Sequence, residues 1–326
     1  MGIIDVSIVI PTRNRCEKLI TTLESVCKQT VSNDRCEVIV INNGSTDDTA
    51  LICEQYKSDY SNFSYYYKER PGLHVGRNTG FLKSRGNIIA YLDDDVILFP
   101  NWLETILKVF EDDKVMAACG SVVPYDFSIL PDTLWKHRCR IDGFEVLLPI
   151  SCFWQRDINE NIEIMREVRP ELIFGANAIY RKSVLEECNG FHPDGMPKDM
   201  LMYRGDGETY IANWLRENKA KVVYNSQMSV YHMIDGERVD DDYLAYMYFR
   251  NGISGMYTYL RSSKGFCESV RHGIRQIIED GFFNNNETDY INGEFYLLTH
   301  YVFRSKIRRW IHRDNYLNED EHGNCC

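Results

Sequence analysis

Residues 88–95 read IIAYLDDD, a short apolar run that ends in three consecutive carboxylates. The run is brief, β-branched and aromatic, which suits a strand buried on both faces. Comparable runs precede it at residues 6–10 (VSIVI), 38–41 (VIVI) and 63–67 (FSYYY). Helical signals fall between them. Leu19, Leu23 and Val26 recur at spacings of four and three, and residues 45–48 (STDD) form an N-cap signal ahead of Leu51, Ile52 and Tyr56. A third helix is expected from near Asn78 to Arg85, stopped by Gly86. This alternation predicts an α/β fold: a mostly parallel sheet with helices on both faces. Ligands of such sheets sit beyond the carboxyl ends of the strands. The polar groups following the strands, Pro11-Thr12-Arg13-Asn14, Asn42-Asn43-Gly44-Ser45 and Asp93-Asp94-Asp95, are therefore expected at one edge.

Three adjacent carboxylates repel one another, and a divalent cation relieves that repulsion. In an extended segment alternate side chains share a face, so Asp93 and Asp95 are expected to address one site while Asp94 points elsewhere. An all-oxygen set favours a hard ion, Mg²⁺ or Mn²⁺, completed by phosphate oxygens. On the triplet alone, a solvated acidic turn is an equally good reading.

Composition narrows the classes. The 326 residues, 44% hydrophobic, suffice for one large core or two modest ones. With 37 Lys and Arg against 48 Asp and Glu, the net charge of −11 argues against nucleic acid as a partner. No stretch approaches the roughly 20 apolar residues of a membrane span, and no basic segment leads into an apolar run at the N-terminus, so the expectation is a cytoplasmic protein. Its 11 cysteines are scattered without a Cys-x-x-Cys pair and are expected to be reduced.

Farther along, Trp102, Leu103, Ile106, Leu107 and Phe110 mark a helix and residues 115–119 a strand. Residues 126–170 show no readable pattern. Helices are expected near residues 182–188 and 205–218, and strands at 221–224 and 228–231. Beyond residue 235 the chain reads as helical and tyrosine-rich, ending in a polar tail at residues 319–326. The expected division is a domain over residues 1–235 and a mainly helical extension over 236–318. In the extension, Phe303, Ile307 and Trp310 fall on one face among Arg304, Lys306, Arg308, Arg309 and Arg313. Such a helix can rest on anionic lipid or pack on its own domain, and packing is the favoured reading.

Several segments together closely resemble, in order and spacing, family-2 glycosyltransferases with the GT-A fold. They are residues 7–15 (SIVIPTRNR), 40–49 (VINNGSTDDT), 71–80 (PGLHVGRNTG), 91–96 (YLDDDV), 174–191 (FGANAIYRKSVLEECNGF), 204–217 (RGDGETYIANWLRE) and 230–232 (VYH). The resemblance covers roughly residues 5–235. It implies a metal-dependent, inverting transfer of a sugar from a nucleoside diphosphate, UDP- or dTDP-linked ahead of GDP-linked, to a glycan or lipid-linked hydroxyl acceptor, in glycan or cell-surface polysaccharide synthesis.

The resemblance also implies roles. Pro11, Thr12, Arg13, Asn42 and Asn43 would hold base and ribose, although relatives usually carry an acidic residue in the asparagine pair, and Asn42 and Asn43 equally suit a turn before Gly44. Arg77 would approach the phosphates. Asp93 would lie on the ribose side with Asp94 beside it, Asp95 on the metal with Asp93, and His232 would add a metal ligand. Gly175, Ala176 and Asn177 would line the acceptor and donor-sugar side. A gapless superposition through residues 214–217 puts Glu208 at the position of the base, with Asp206 in reserve; a positioned carboxylate there removes the acceptor proton. The competing readings are a nucleotide-sugar-forming nucleotidyltransferase, against which residues 10–13 lack a glycine-rich loop, and a non-catalytic nucleotide- or glycan-binding subunit, which has no need of a base.

Overall fold

The computed structural model describes residues 4–29, 35–69, 72–136, 138–155, 162–192, 207–263, 265–283 and 288–313. The first half alternates as the apolar runs demand: β1 (Val6–Thr12), α1 (Cys16–Cys27), β2 (Cys36–Asn42), α2 (Thr49–Asp59), β3 (Phe63–Tyr67), α3 (Leu73–Lys83) and β4 (Ile88–Leu92). These strands pair in parallel, Thr12 opposite Asn42 and Asn42 opposite Tyr67, so their carboxyl ends finish together. β4 flanks β1 on the other side, Val9 opposite Tyr91. Every residue of β1, β2 and β4 is buried, which explains apolar runs without alternation.

Helix α3 begins five residues before the expected start near Asn78, because its two glycines resemble a loop. Both are used for close approach. A Cβ on Gly76 would collide with Pro11, and one on Gly80 with Val9, so the helix lies directly on β1 and the contact outweighs the poor helix propensity. Helix α2 also departs from expectation: it buries Thr49 and Cys53 and leaves Leu51 exposed.

The chain continues through β5 (Val96–Leu98), α4 (Trp102–Val109), β6 (Val115–Cys119), β7 (Val122–Pro124), α5 (Asp132–Trp135), β8 (Cys139–Ile141), β9 (Phe144–Leu147), β10 (Cys152–Trp154), β11 (Met165–Glu167), β12 (Asn177–Arg181), α6 (Lys182–Glu187), α7 (Gly207–Glu217), β13 (Lys221–Asn225) and β14 (Val230–His232). Among the described residues the main sheet runs β11-β13-β6-β12-β4-β1-β2-β3 and a second runs β5-β14-β7-β10-β9-β8. In the main sheet β12 is antiparallel to both β4 and β6. The unread region thus supplies three of the six strands of the second sheet, β8, β9 and β10, each too short for a period to show.

Four helices follow: α8 (Asp241–Ser262), α9 (Phe266–Phe283), α10 (Thr288–Phe303) and α11 (Ser305–Ile311). Asp240 caps α8 by accepting from Tyr243 N at 2.6 Å, with Asp241 and Asp242 complementing the positive end of the helix. Ile253, Met256 and Leu260 of α8, Leu297 and Tyr301 of α10, and Ile307 and Trp310 of α11 form a separate apolar cluster. The expected single face of Phe303, Ile307 and Trp310 is therefore broken. Phe303 ends α10 and is exposed, whereas the other two are buried within the extension. Among the described residues no helix is long and apolar enough to cross a membrane. The described cysteines are all free thiols. The tail at residues 319–326 lies outside the described residues.

Candidate active site

β4 ends at Leu92, and Asp94 and Asp95 occupy a turn before β5. The alternation expected of an extended strand fails there, and the three carboxylates part company differently. Arg15, just before α1, joins Asp94 to Asp95: its Nη1 lies 3.1 Å from Asp94 Oδ1 and 2.5 Å from Asp95 Oδ2. Thr12 donates its hydroxyl to Asp94 at 2.6 Å. Asp93 instead faces Arg77, 3.5 Å away. Burial first, and then Asp95, push the Asp94 carboxyl up to about 6.

Sheet pairing explains the fourth partner. β14 is antiparallel to β5 with His232 opposite Val96, which sets the imidazole beside Asp95. His232 Nε2 lies 3.3 Å from Asp95 Oδ1, both side chains almost wholly buried, while the other ring nitrogen meets Cys152 Sγ at 3.5 Å. Arg238 adds a second guanidinium at 3.3 Å from Asp95 Oδ2. Burial alone would raise the Asp95 carboxyl, but His232, Arg15 and Arg238 hold it well below the usual carboxylate range.

The second centre is built on α3 and α7. Arg77, 2% exposed, donates to Glu208 Oε1 at 2.5 Å and stacks its guanidinium over Phe191, 5.5 Å from the ring centre. Asn78 holds Phe191 in place by accepting from its N–H at 2.8 Å and donating to its carbonyl at 2.7 Å. Glu208 stands in the first turn of α7, where the helix dipole favours an acid. Burial would lift its carboxyl, but Arg77 and then His74 overcome that and hold it down to about 2. The pair borders a cleft of about 540 Å³, around which Arg15, Arg77, Arg238 and Arg250 are balanced by Asp93, Glu208, Asp235 and Glu237. A neighbouring cleft of about 600 Å³ shares Gly175, Glu208, Thr209, Asn251 and Ser254 with it. Glu208 therefore stands at the junction of the two.

Asp95 Oδ1 and His232 Nε2, buried, adjacent and without another hydrogen-bond partner, are the two atoms a divalent cation would take. Burial alone would lower the His232 imidazole, but Asp95 and Cys152 push it up to about 10, so a cation would have to displace its proton. Asp93 does not complete the set, because it turns to Arg77. Among the described residues no three of His, Cys, Asp and Glu gather as metal ligands. Arg15 and Arg238 take the positive-charge role beside Asp95.

The other sequence candidates divide. Gly175 and Ala176 line the cleft, brought alongside residues 93 and 94 because β12 pairs Asn177 with Leu92. Asn177 does not line it; it is fully buried, accepting from Trp102 Nε1 at 3.0 Å and donating to Met228 O at 2.7 Å. It ties β12 to α4 and to the turn before β14. Asn42 is likewise committed to its turn, accepting from Ser45 N at 2.8 Å and donating to Tyr65 at 2.9 Å. Asn43 accepts from Gly72 N at 2.6 Å, Pro11 is buried beneath α3, and Arg13 is exposed. Asp206 lies outside the described residues. Sequence reasoning gave no role to Arg15 and Arg238; in α8 it offered the tyrosines at 246–250 and 257–259 as an acceptor groove or a helical core, whereas Asn251 and Ser254 are the residues that line both clefts. Arg15 stood inside a quoted motif and was the one signal at hand.

A mostly parallel sheet with an antiparallel β12, carboxylates at the strand ends and a half-buried acid between two clefts are the arrangement of a GT-A fold. Comparisons with known proteins agree. The profile described as "Glycosyl transferase family 2" matches residues 7–188. An uncharacterized glycosyltransferase of Rickettsia bellii is 43% identical over 33% of this chain and 15% of its own length. The glucosyl-dolichyl phosphate glucuronosyltransferase of Haloferax volcanii is 24% identical over 76% of this chain and 75% of its own. The chain thus spans a small part of the first relative and about three quarters of the second. Among solved structures, a mannosyltransferase of Pyrobaculum calidifontis in complex with GDP-Man and Mn²⁺ has a TM-score of 0.53 at 14% identity, covering 94% of this chain and 84% of that one. S. aureus TarS in complex with UDP-GlcNAc has a TM-score of 0.52 at 16% identity, covering 95% and 90%. The chain belongs to glycosyl transferase family 2.

Proposed function

We propose that the chain moves a sugar, with inversion at the anomeric carbon, from a nucleoside diphosphate to a hydroxyl of a glycan or lipid-linked acceptor, in the cytoplasm and toward cell-surface polysaccharide. The observation that carries the reading is Glu208: a carboxylate neutralised by Arg77 at the junction of two clefts, one wide enough for a donor and the other open to an acceptor. A diphosphate in the first cleft competes with Glu208 and Asp93 for Arg77, whose guanidinium pairs well with phosphate oxygens. As Arg77 turns to the donor, Glu208 loses the charge that depresses its basicity and becomes the better proton acceptor. It then takes the acceptor proton as the hydroxyl attacks the anomeric carbon. When bound, a Mg²⁺ or Mn²⁺ ion on Asp95 and His232 supplies positive charge for the departing diphosphate.

The Mn²⁺ and sugar nucleotides held by proteins of this fold support the reading. UDP- or dTDP-sugars are proposed ahead of GDP-sugars. The helices after residue 235 belong to the same working unit, since α8 lines both clefts. The test is release of nucleoside diphosphate from a panel of UDP-, dTDP- and GDP-sugars with and without Mn²⁺. Slow release with one donor is expected, lost with Asp95→Asn, while Glu208→Gln binds that donor but does not transfer. No release from any donor, or full transfer by Glu208→Gln, ends the proposal.

A further inference from the structure

We propose that the acceptor is an oligosaccharide, held in a groove that runs from Glu208 along α7 and α8 toward the C-terminal helices. This rests on the transferase reading above. The acceptor-side cleft shares Asn213 with a third cleft of about 410 Å³, walled by Tyr210 and Trp214 of α7 and by Thr258 and Arg261 of α8. On α8, Asn251, Ser254, Thr258 and Arg261 follow one another at steps of three and four, so they form one stripe along the helix. From Glu208 to Glu217, at the far end of α7, the rise along the helix is about 14 Å, more than one sugar ring.

The chemistry of this track selects the ligand. The acceptor-side cleft has apolar walls at Leu148, Pro170 and Ile173, but farther along the third cleft is lined by amide, hydroxyl, aromatic and charged side chains, and among the described residues no aliphatic side chain lines it. Amides and hydroxyls both donate and accept, which matches the hydroxyl rim of a sugar. Aromatic faces match its C–H face, and Arg261 lies 4.1 Å over the Tyr210 ring, fixing that ring's orientation.

The experiment measures the full chain, with UDP and Mn²⁺, on an array of mono- to hexasaccharides of glucose, galactose, mannose and N-acetylglucosamine. In one series affinity is expected to rise about tenfold from mono- to trisaccharide, the worth of a couple of hydrogen bonds. Thr258→Trp fills the third cleft and removes that gain, leaving monosaccharide binding and donor hydrolysis unchanged. Ser262→Trp, at an exposed position, repeats the block without disturbing packing. Affinity independent of length in every series, preference for peptides, or an intact gain in both variants overturns the proposal. Length-dependent binding without nucleotide release from any donor keeps the groove and ends the transferase reading instead.

Discussion

Gly175→Ala is the sharpest probe of the site. A Cβ there would fall within 3.0 Å of Glu208 Oε1 and of Arg77 Nη2 and Cζ, closer than real Cβ atoms approach. Gly175 is not among the residues of positive φ, so alanine meets no backbone strain, and the disturbance falls on the ion pair. To restore contact distance the carboxylate must retreat by about 1 Å, a displacement that costs a reacting pair about 10²-fold. That equals the lower end of what a positioned base contributes, about 10²–10⁴. We expect kcat to fall about 10²-fold with the melting temperature little changed. Separation from Arg77 also frees Glu208 to titrate nearer the ordinary carboxylate range, so the acid limb of kcat/KM moves to higher pH. Steady-state transfer across the acid range, with thermal melts as control, reads both effects. Turnover within about threefold of the parent, at unchanged limb, refutes the assignment of the ion pair to the reacting geometry.

Asn177→Ala should cost about 1–3 kcal/mol in urea unfolding, leaving Trp102 Nε1 and Met228 O without their partner, yet spare turnover per folded molecule; a selective loss of turnover would return Asn177 to the cleft. Glu208 is depressed in the folded state, so it stabilises the fold above its ordinary pKa, and that contribution is lost as pH falls from about 4.5 to about 2. The stability of the parent relative to Glu208→Gln should shrink over that window in urea melts, and a constant difference contradicts the ion-pair account. Trp310→Ala, in the packed extension, should cost about 3–5 kcal/mol. Phe303→Asp, on its exposed end, should stay within about 0.5 kcal/mol, and vesicle binding that depends on Phe303 would revive a membrane role for this surface.

Strands β1, β2 and β4 lie where their apolar runs point, because each is enclosed on both faces and needs no other signal, and the aromatic run of β3 pairs beside them at the sheet edge. The site was legible only in part. The triplet of aspartates was visible, but its arrangement is set by a turn and by Arg15 and Arg238, residues distant in sequence that no local period marks. Asn177 was placed in the cleft by the resemblance of its segment alone; tertiary packing against Trp102 and Met228 claims it instead. Apart from β14, which the expected strand at 228–231 overlaps, the second sheet was hidden because β5, β7, β8 and β10 each have only three residues. Arg77 was named from the resemblance, but the helix that carries it was expected to begin one residue after it, and the partners beside it in the structure are Glu208 and Asp93.

The equal numbers of arginines and carboxylates around the first cleft have a kinetic consequence. Opposite charges a few ångströms apart cancel at a distance, so this opening casts little field into solution, whatever the acidity of the whole surface. A sugar nucleotide would then arrive by ordinary diffusion and be captured only on arrival, by partner exchange at short range. Its association rate should accordingly be almost indifferent to ionic strength.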